Sequence, residues 1–351
     1  MKGRRSGYTT GTCAAAAAKA AAKVLLGGPA PQAVEVPLPD GTRAVLPALY
    51  ARRRGGEAEA AVRKDAGGDA DATHGSVVTA SLTWAQGGDV TFVAGDGVGT
   101  VTKPGLSVPP GEPAVNPVPR AMIRAAIREV TELPVRVVLS IPGGKELAQK
   151  TFNPRLGVAG GLSILGTTGR VRPYCRTALR DALSCALDVA AACGIRAPVL
   201  VPGHIGEKAA RRRFRLSAEQ VVEVANEWAF VLDRIGGYGF DRLLVLGHPG
   251  KLAKLAMGHW DTHSAVSPAA APFVAALAGE ILARSVPPCP TVEGVLAALR
   301  AAERERVAAR LAGRIREAVA HRIGKGPEAA VALVDMGGDL LGADGDLSPW
   351  R

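Results

Sequence analysis

Two segments of this chain join glycines, polar side chains and the start of a helix. In the first, Gly7-Tyr8-Thr9-Thr10-Gly11-Thr12-Cys13 runs into an alanine-rich stretch. A helix N-terminus carries unpaired N–H groups and positive partial charge, so glycines and hydroxyls there suit a phosphate or a carboxylate. Thr12 is the expected N-cap. A well-capped helix, with small residues at 14–18 for close packing, satisfies the same pattern. Cys13 has no evident base partner, which argues against a nucleophile, although a helix start can lower a thiol pKa. In the second segment the apolar run 242–246 leads to Gly247-His248-Pro249-Gly250-Lys251 and another helix. Ligands bind α/β sheets at such strand ends. The spacing is not that of a P-loop. Lys251 and Lys254 add positive charge.

Three further segments could carry chemistry. Residues 64–75 hold Asp65, Asp69, Asp71 and His74 in a glycine-bearing loop. Such a loop could bind a hard cation, but it lacks the glutamate that closes an EF-hand. Acid–base work by Asp65 and His74, hydrogen bonds to a polar ligand, or a solvated acidic turn are the other readings. Gly95-Asp96-Gly97-Val98-Gly99 imitates the glycine loop of dinucleotide and adenosylmethionine binders. That motif requires an immediate helix, and Pro104, Pro109, Pro110 and Pro113 postpone one to about Pro119, so it reads as a strand-end turn. Residues 150–169 expose backbone and the hydroxyls of Ser163, Thr167 and Thr168, with Arg155 able to hold a carboxylate. Downstream lie His259, Asp261, Thr262, His263 and Ser264. Triad members normally come from separate elements. Two histidines four apart share a face only on a helix, and no third ligand is evident, so no protein-bound metal is expected.

These segments need elements to position them. Helices are expected at 14–26, 120–131, 176–193, after Gly206, at 217–235 and 251–258, and along Val307, Leu311, Ile315, Val319 and Ile323, which recur every fourth residue. Strands are expected around the Asp40-Gly41 turn in 33–49, at 135–141, 198–202 and 242–246, and last at 329–335. Residues 76–84 and 89–94, joined through Gly87-Gly88, read as a hairpin. The first half mixes strands and helices without alternation, which predicts an α+β domain. The second half alternates them, which predicts an α/β domain with a parallel sheet of Rossmann type. Gly203-His204-Ile205-Gly206 echoes the 247–250 segment there. The expected domains are 1–160 and 161–351, without a marked linker.

Composition bounds the answer. The 351 residues are 47% hydrophobic and 21% charged, a globular balance. The 43 glycines and 25 prolines exceed the usual combined share of roughly 12% and imply many turns. A net charge of +11 favours a polyanionic partner. Arg52-Arg53-Arg54 and Arg211-Arg212-Arg213 lack interleaved aromatics, and no nucleic-acid module is present. The five cysteines, Cys13, Cys175, Cys185, Cys193 and Cys289, form no CxxC, so reduced thiols and a cytoplasmic location are expected. Lys2, Arg4 and Arg5 precede an alanine stretch, but Lys19 and Lys23 interrupt it, which argues against a signal peptide. No run of 18 apolar residues predicts a membrane span.

Taken together and in order, the motifs resemble the cobalt-precorrin-5B C-1-methyltransferase family (the CbiD type). The resemblance runs through GYTTGTCAAAAAKAA at 7–21, KDAGGDADATHG at 64–75, GDGVGTVTKPGL at 95–106 and PAVNPVPRAMI at 113–123. It continues through TFNPRLGVAGGLSILGTTG at 151–169, LGHPGKLAKLA at 246–256 and THS at 262–264. Beyond about 285 no motif matches. The resemblance implies transfer of a methyl group from S-adenosyl-L-methionine to C-1 of a cobalt-bound, ring-contracted tetrapyrrole, giving cobalt-precorrin-6A in anaerobic cobalamin biosynthesis. It implies cobalt only within the substrate, and an α+β substrate-binding domain followed by a Rossmann-like domain. A polycarboxylate substrate asks for Arg, Lys, hydroxyls and helix N-termini. The substrate candidates are Tyr8, Thr9, Thr10, Thr12, Arg120, Asn153, Arg155, Thr167 and Thr168. Asp65 and His74 are the candidate bases. Gly247, His248, Gly250, Lys251, Thr262, His263 and Ser264 are the candidates for adenosylmethionine. No nucleic acid or membrane partner is implied, and a homo-oligomer is compatible. Two departures stand out. Ala265-Val266-Ser267-Pro268-Ala269 replaces a polar run carrying an Asp and an Arg, and Gly68 stands where an acidic residue is usual. Two rival readings remain: a non-catalytic tetrapyrrole-binding protein, and a small-molecule kinase using the N-terminal Gly/Thr loop for phosphate.

Overall fold

The computed structural model describes residues 5–69, 71–171 and 176–351. They fall into two compact units that divide between Ala178 and Leu179. Lys2 and Arg4, weighed above as part of a leader, and Cys175 lie outside the described residues.

In the first unit β1 (Gly7–Tyr8) enters α1 (Thr10–Leu25). Then come β2 (Ala33–Pro37), β3 (Arg43–Arg54), β4 (Glu57–Arg63), β5 (Val77–Trp84), β6 (Val90–Ala94) and β7 (Thr100–Val101). α2 (Pro117–Arg128), β8 (Val135–Ser140), α3 (Gly144–Ala148), β9 (Val158–Ala159) and β10 (Arg170–Val171) complete it. The main sheet runs β2-β3-β4-β5-β8-β6. All its pairs are antiparallel except β6 with β8. The expected 76–94 hairpin is therefore not formed: β8 lies between its two strands. Val135, Val137 and Leu139 of β8 are wholly buried, which favours an interior place over an edge.

α1 forms because alanine is the best helix former. It starts earlier than the sequence suggests, with Thr9 rather than Thr12 as N-cap; the Thr9 hydroxyl accepts the Thr12 N–H. Nearly every residue of α1 is buried, in one core with the sheet and α2. Without long side chains the helix backbone can approach both neighbours closely.

The segment 161–171, assigned above to the second domain, pairs within the first unit instead. Leu162 bridges to Val98, Ile164 to Val115, and β10 to β1.

α4 (Arg176–Ala192) carries the chain into the second unit. β11 (Val199–Val201), α5 (His204–Arg213), β12 (Val221–Glu223), α6 (Trp228–Ile235), β13 (Arg242–Gly247) and α7 (Pro249–Ala256) follow. α8 (Ala271–Leu282), α9 (Val292–Ala297), α10 (Ala301–Ile323), β14 (Glu328–Val334) and β15 (Leu340–Asp344) end it. The sheet order is β12-β11-β13-β14-β15, with the first four strands parallel and β15 antiparallel. One sheet face packs with α6, α7 and α10, and the other with Ala209 and Ala210 of α5 and with Trp350. The strand residues are apolar on both faces, as a sheet covered on both sides requires.

Two expectations fail here. Residues 217–235 are not one helix, because 221–223 pair with β11 and Ala225 turns to φ 56°. Nor is the 329–335 strand the last, since β15 returns beside it. There a Cβ on Gly342 would lie 2.5 Å from the Ala309 N, so only glycine lets α10 sit this close to β15.

An ion cluster ties α1 to its surroundings. The buried Lys19 ammonium donates to Glu129, the C-cap of α2, and to the Glu35 carbonyl at 2.7 Å. Arg43 grips Glu129 with two bonds of 2.9 and 2.8 Å. Arg43 above all, with Lys19, lowers the Glu129 pKa from 4.5 to about 2. A depressed carboxylate stabilises the fold above its unfolded pKa and loses that contribution as pH falls through its folded one. Chemical denaturation should thus show stability falling between about pH 4.5 and 2. Glu129→Gln should lower stability at pH 7 and flatten that acid limb.

Candidate functional site

The N-terminus of α1 is occupied by the protein itself. Thr12 donates its hydroxyl to the Gly169 carbonyl at 2.6 Å and receives the Thr9 hydroxyl at 3.2 Å. The Gly11 N–H donates to the Leu165 carbonyl, and the Thr9 N–H to that of Gly169. The Thr10 hydroxyl donates to the Leu165 carbonyl at 3.2 Å and accepts the Leu165 N–H at 3.0 Å. All three threonines are buried. This turn therefore anchors the 163–169 loop, and Thr9, Thr10 and Thr12 do not point hydroxyls at solvent. It is no phosphate cradle either. Burial pushes the Cys13 thiol up to about 12 despite Lys64 nearby, so it is no nucleophile.

The 64–75 loop is pinned beside this turn. The Tyr8 N–H donates to the Asp65 carbonyl at 2.8 Å, and a Cβ on Gly7 would lie 2.2 Å from Ala66 C. Lys64 is almost fully buried, and its ammonium meets Asp71 at 2.5 Å. Asp71 also accepts the Thr73 N–H and hydroxyl. Burial raises the Asp71 pKa, but Lys64 and Thr73 outweigh it and hold the carboxyl below its ordinary range. Asp65 accepts the Gly67 N–H at 2.8 Å and meets Arg5 at 2.5 Å. The Gly67 N–H foremost, and Arg5 after it, keep Asp65 low as well. His74 Nδ1 accepts the Ala66 N–H at 3.1 Å, so the neutral ring carries its proton on Nε2. A general base works best with a pKa near the operating pH and an open acceptor. In this arrangement Asp65 lacks the first and His74 the second.

The other substrate candidates divide into braces and exposed groups. Arg120 bonds the Val115 and Pro113 carbonyls and Glu112, and so fixes the 112–115 turn. Buried Asn153 accepts the Ser163 hydroxyl at 2.7 Å. Arg155, Thr167 and Thr168 are exposed. The Arg155 guanidinium lies 5.9 Å from the Phe152 ring, and that of Arg170 lies 5.8 Å from the Tyr8 ring. Phe152 and Leu165 are large apolar side chains about half exposed. The bonds from Asn153 to Ser163, Leu165 to Thr10 and Gly169 to Thr9 hold these groups along one ribbon. A cavity of about 270 Å³ opens beside it, with Thr102, Lys103, Gln149, Pro154 and Gly161 in its wall.

In the second unit, His248 caps α7. Its Nδ1 accepts the Gly250 N–H at 3.1 Å, and its Nε2 meets Glu293 at 2.7 Å. Lys251 follows at the strand end. Partial burial, with Lys254 adding, lowers its pKa, while Glu223 opposes the shift. The Lys254 ammonium is buried and donates to the Ser267 hydroxyl at 2.9 Å and the Thr262 carbonyl at 3.1 Å. The Thr262 hydroxyl donates to Asn226 at 3.0 Å. Ser267 belongs to the departing run after Ser264, so part of that run acts as a brace. His263 and Ser264 are exposed, and His263 Nδ1 accepts the Ala265 N–H. Glu223 and Asn226 were missed because their segment reads as helix. Among the described residues, no three His, Cys, Asp or Glu side chains gather as a metal site. No helix there is long and apolar enough to cross a membrane.

The Lys64–Asp71 pair gives a direct test of this scaffold. Removing one partner of a buried pair leaves an uncompensated charge and costs about 3 kcal/mol or more. Asp71→Ala should show that loss in chemical denaturation, and the double variant with Lys64→Met should recover part of it.

A family model described as CbiD matches residues 1–173, and one described as CbiD, C-terminal domain, matches residues 261–345. The cobalt-precorrin-5B C(1)-methyltransferase of Syntrophotalea carbinolica is 52% identical over 351 residues, covering 100% of each chain. That of Moorella thermoacetica is 41% identical and covers 97% of this chain and 95% of its own. Among solved structures, the cobalamin biosynthesis protein (cbiD) from Archaeoglobus fulgidus is 29% identical, with a TM-score of 0.40, covering 74% of this chain and 82% of that one. On an identity above one half along its whole length, the chain belongs to the CbiD family.

Proposed function

We propose that this protein transfers a methyl group from S-adenosyl-L-methionine to C-1 of cobalt-precorrin-5B, giving cobalt-precorrin-6A in anaerobic cobalamin biosynthesis. The observation that carries this reading is the full-length identity to a cobalt-precorrin-5B C(1)-methyltransferase. The second unit supports the cofactor half. Its four parallel strands with helices on both faces suit a Rossmann-like reading. Parallel sheets of this order bind ligands at the strand C-termini where the connections diverge, here beyond β11 and β13. The Gly247, His248, Gly250 and Lys251 turn stands at that place, braced beneath by Lys254 and the Thr262 to Ser267 turn. Lys251 is suited to a carboxylate, and His248 holds the turn in shape. His263 and Ser264 belong to the outer part of the same reading.

When bound, adenosylmethionine supplies an electrophilic methyl group on a sulfonium. Displacement at carbon is favoured by positioning and by exclusion of water rather than by an activated side chain. The first unit supports recognition of a polycarboxylate macrocycle. Arg155 and Arg170 offer guanidinium groups, Thr167 and Thr168 hydroxyls, and Phe152 and Leu165 apolar contact for a ring face. Thr9, Thr10, Thr12, Arg120 and Asn153 serve this surface from behind, as the braces already described. Cobalt belongs to the substrate. A cytoplasmic setting is part of the same reading and rests on Cys13, Cys185 and Cys289 being free thiols. The kinase alternative loses its support, because the Tyr8, Thr9, Gly11, Thr12 and Cys13 N–H groups of the Gly/Thr loop are paired within the protein.

The deciding experiment is incubation with adenosylmethionine and cobalt-precorrin-5B, followed by mass measurement of the tetrapyrrole. Gain of one methyl group with formation of S-adenosylhomocysteine is expected. Binding of the tetrapyrrole with no such gain would favour the carrier reading. In the same assay Asp65→Asn should reduce turnover by less than about threefold, against the 10²–10⁴-fold typical of a lost general base.

A further inference from the structure

Two strands away from the 247–251 turn, the end of β12 carries an acid that no motif marks. β11 lies between β12 and β13, and the helices after β11 and β13 pack on opposite faces of the sheet. A crevice opens where such connections part. Its floor is built from close contacts. A Cβ on Gly247 would lie 2.5 Å from the Pro202 ring, and one on Gly206 would lie 2.8 Å from the Leu246 carbonyl oxygen. Glycine at these two places keeps the first turn of α5 tight against β13 and the strand ends bare.

Glu223 ends β12 and pairs in register with Val201, two residues before Gly203. A Cβ built on Gly203 would lie 3.7 Å from Glu223 Oε1, so the carboxylate is turned toward this turn. The side chain is half-buried, and it is close enough to Lys251 to influence that ammonium. A glycine turn after the first strand, with an acid about 20 residues on at the end of the neighbouring strand, is the arrangement by which α/β folds read ribose hydroxyls. The chemistry is direct: two carboxylate oxygens accept two hydrogen bonds from a vicinal diol.

We propose that Glu223 holds the ribose diol of the adenosyl group, beside the 203–206 turn and across from Lys251. The proposal rests on the adenosylmethionine reading above and assigns a residue to it that the sequence motifs leave out. Lys251 then faces the amino-acid end of the same ligand, so acid and ammonium fix it at the ribose and at the amino acid.

Calorimetric binding of S-adenosylhomocysteine tests this without turnover. Glu223→Gln should weaken binding about 10- to 100-fold, the range for hydrogen bonds to a charged group. In the wild-type protein the 2′-deoxy and 3′-deoxy analogues should bind more weakly than the parent. In Glu223→Gln that penalty should largely vanish. Wild-type affinity unchanged by either deoxygenation would overturn the assignment, and this arm needs no variant to fold. An equal penalty in variant and wild type would overturn it too. If the wild-type protein binds no S-adenosylhomocysteine at all, the underlying cofactor reading fails as well; binding that ignores Glu223 removes this residue alone.

Discussion

Close approach of backbone to backbone is the constraint on which both units depend. In the first unit the alanines of α1 bring the helix against the sheet and α2 with little side chain of its own between them. At its N-terminus Gly7 meets Ala66, and the buried threonines bond the 163–169 carbonyls directly. In the second unit Gly206, Gly247 and Gly342 do the equivalent at helix–strand and turn–turn contacts. A Cβ at any of these points would meet backbone or ring atoms inside normal contact distance. The high glycine and alanine content is thus spent on packing as well as on turns, and it leaves the polar loops held to a rigid frame.

The polar network is built on that frame in two layers. Thr12, Asn153, Arg120 and Lys254 face protein carbonyls and hydroxyls and fix loop shape. Arg155, Thr167, Thr168, Phe152 and Leu165 face outward from the loops so fixed. Buried donors without partners are costly, so the first group had to find acceptors inside the fold. Many of the cations that make up the net charge of +11 are paired with carboxylates within the protein, such as Arg43 with Glu129 and Arg128 with Asp89. The reading of that charge as a sign of a polyanionic partner therefore rests on the outward-facing groups rather than on the total.

Elements with a local signal were legible in the sequence. α1, α10 and the β13–α7 turn follow from alanine content, i+4 spacing and glycines after an apolar run. The place of β8 between β5 and β6 was not legible, since it depends on pairings far apart in the chain. Residues 217–227 contain no Pro or Gly, so nothing local forbids a helix; pairing with β11 imposes a strand, and tertiary context wins over propensity. Glu223 was hidden by that same misreading. Among the site residues, types were legible and partners were not. A threonine before a helix looks alike in sequence whether its hydroxyl meets a ligand or Gly169.

The burial of α1 has a thermodynamic side. Ordering a long side chain costs about 1.5–2 kcal/mol in rotamer freedom, whereas alanine and glycine have none to lose. Nine of the sixteen residues of α1 are alanine or glycine, so the most enclosed element of the first unit is inexpensive to order. The saving comes with intolerance. A larger residue at such a position would have to displace the sheet or α2, and would also bring a rotamer penalty that the native helix avoids. The helix can afford its low apolar area per residue only while its neighbours stay this close.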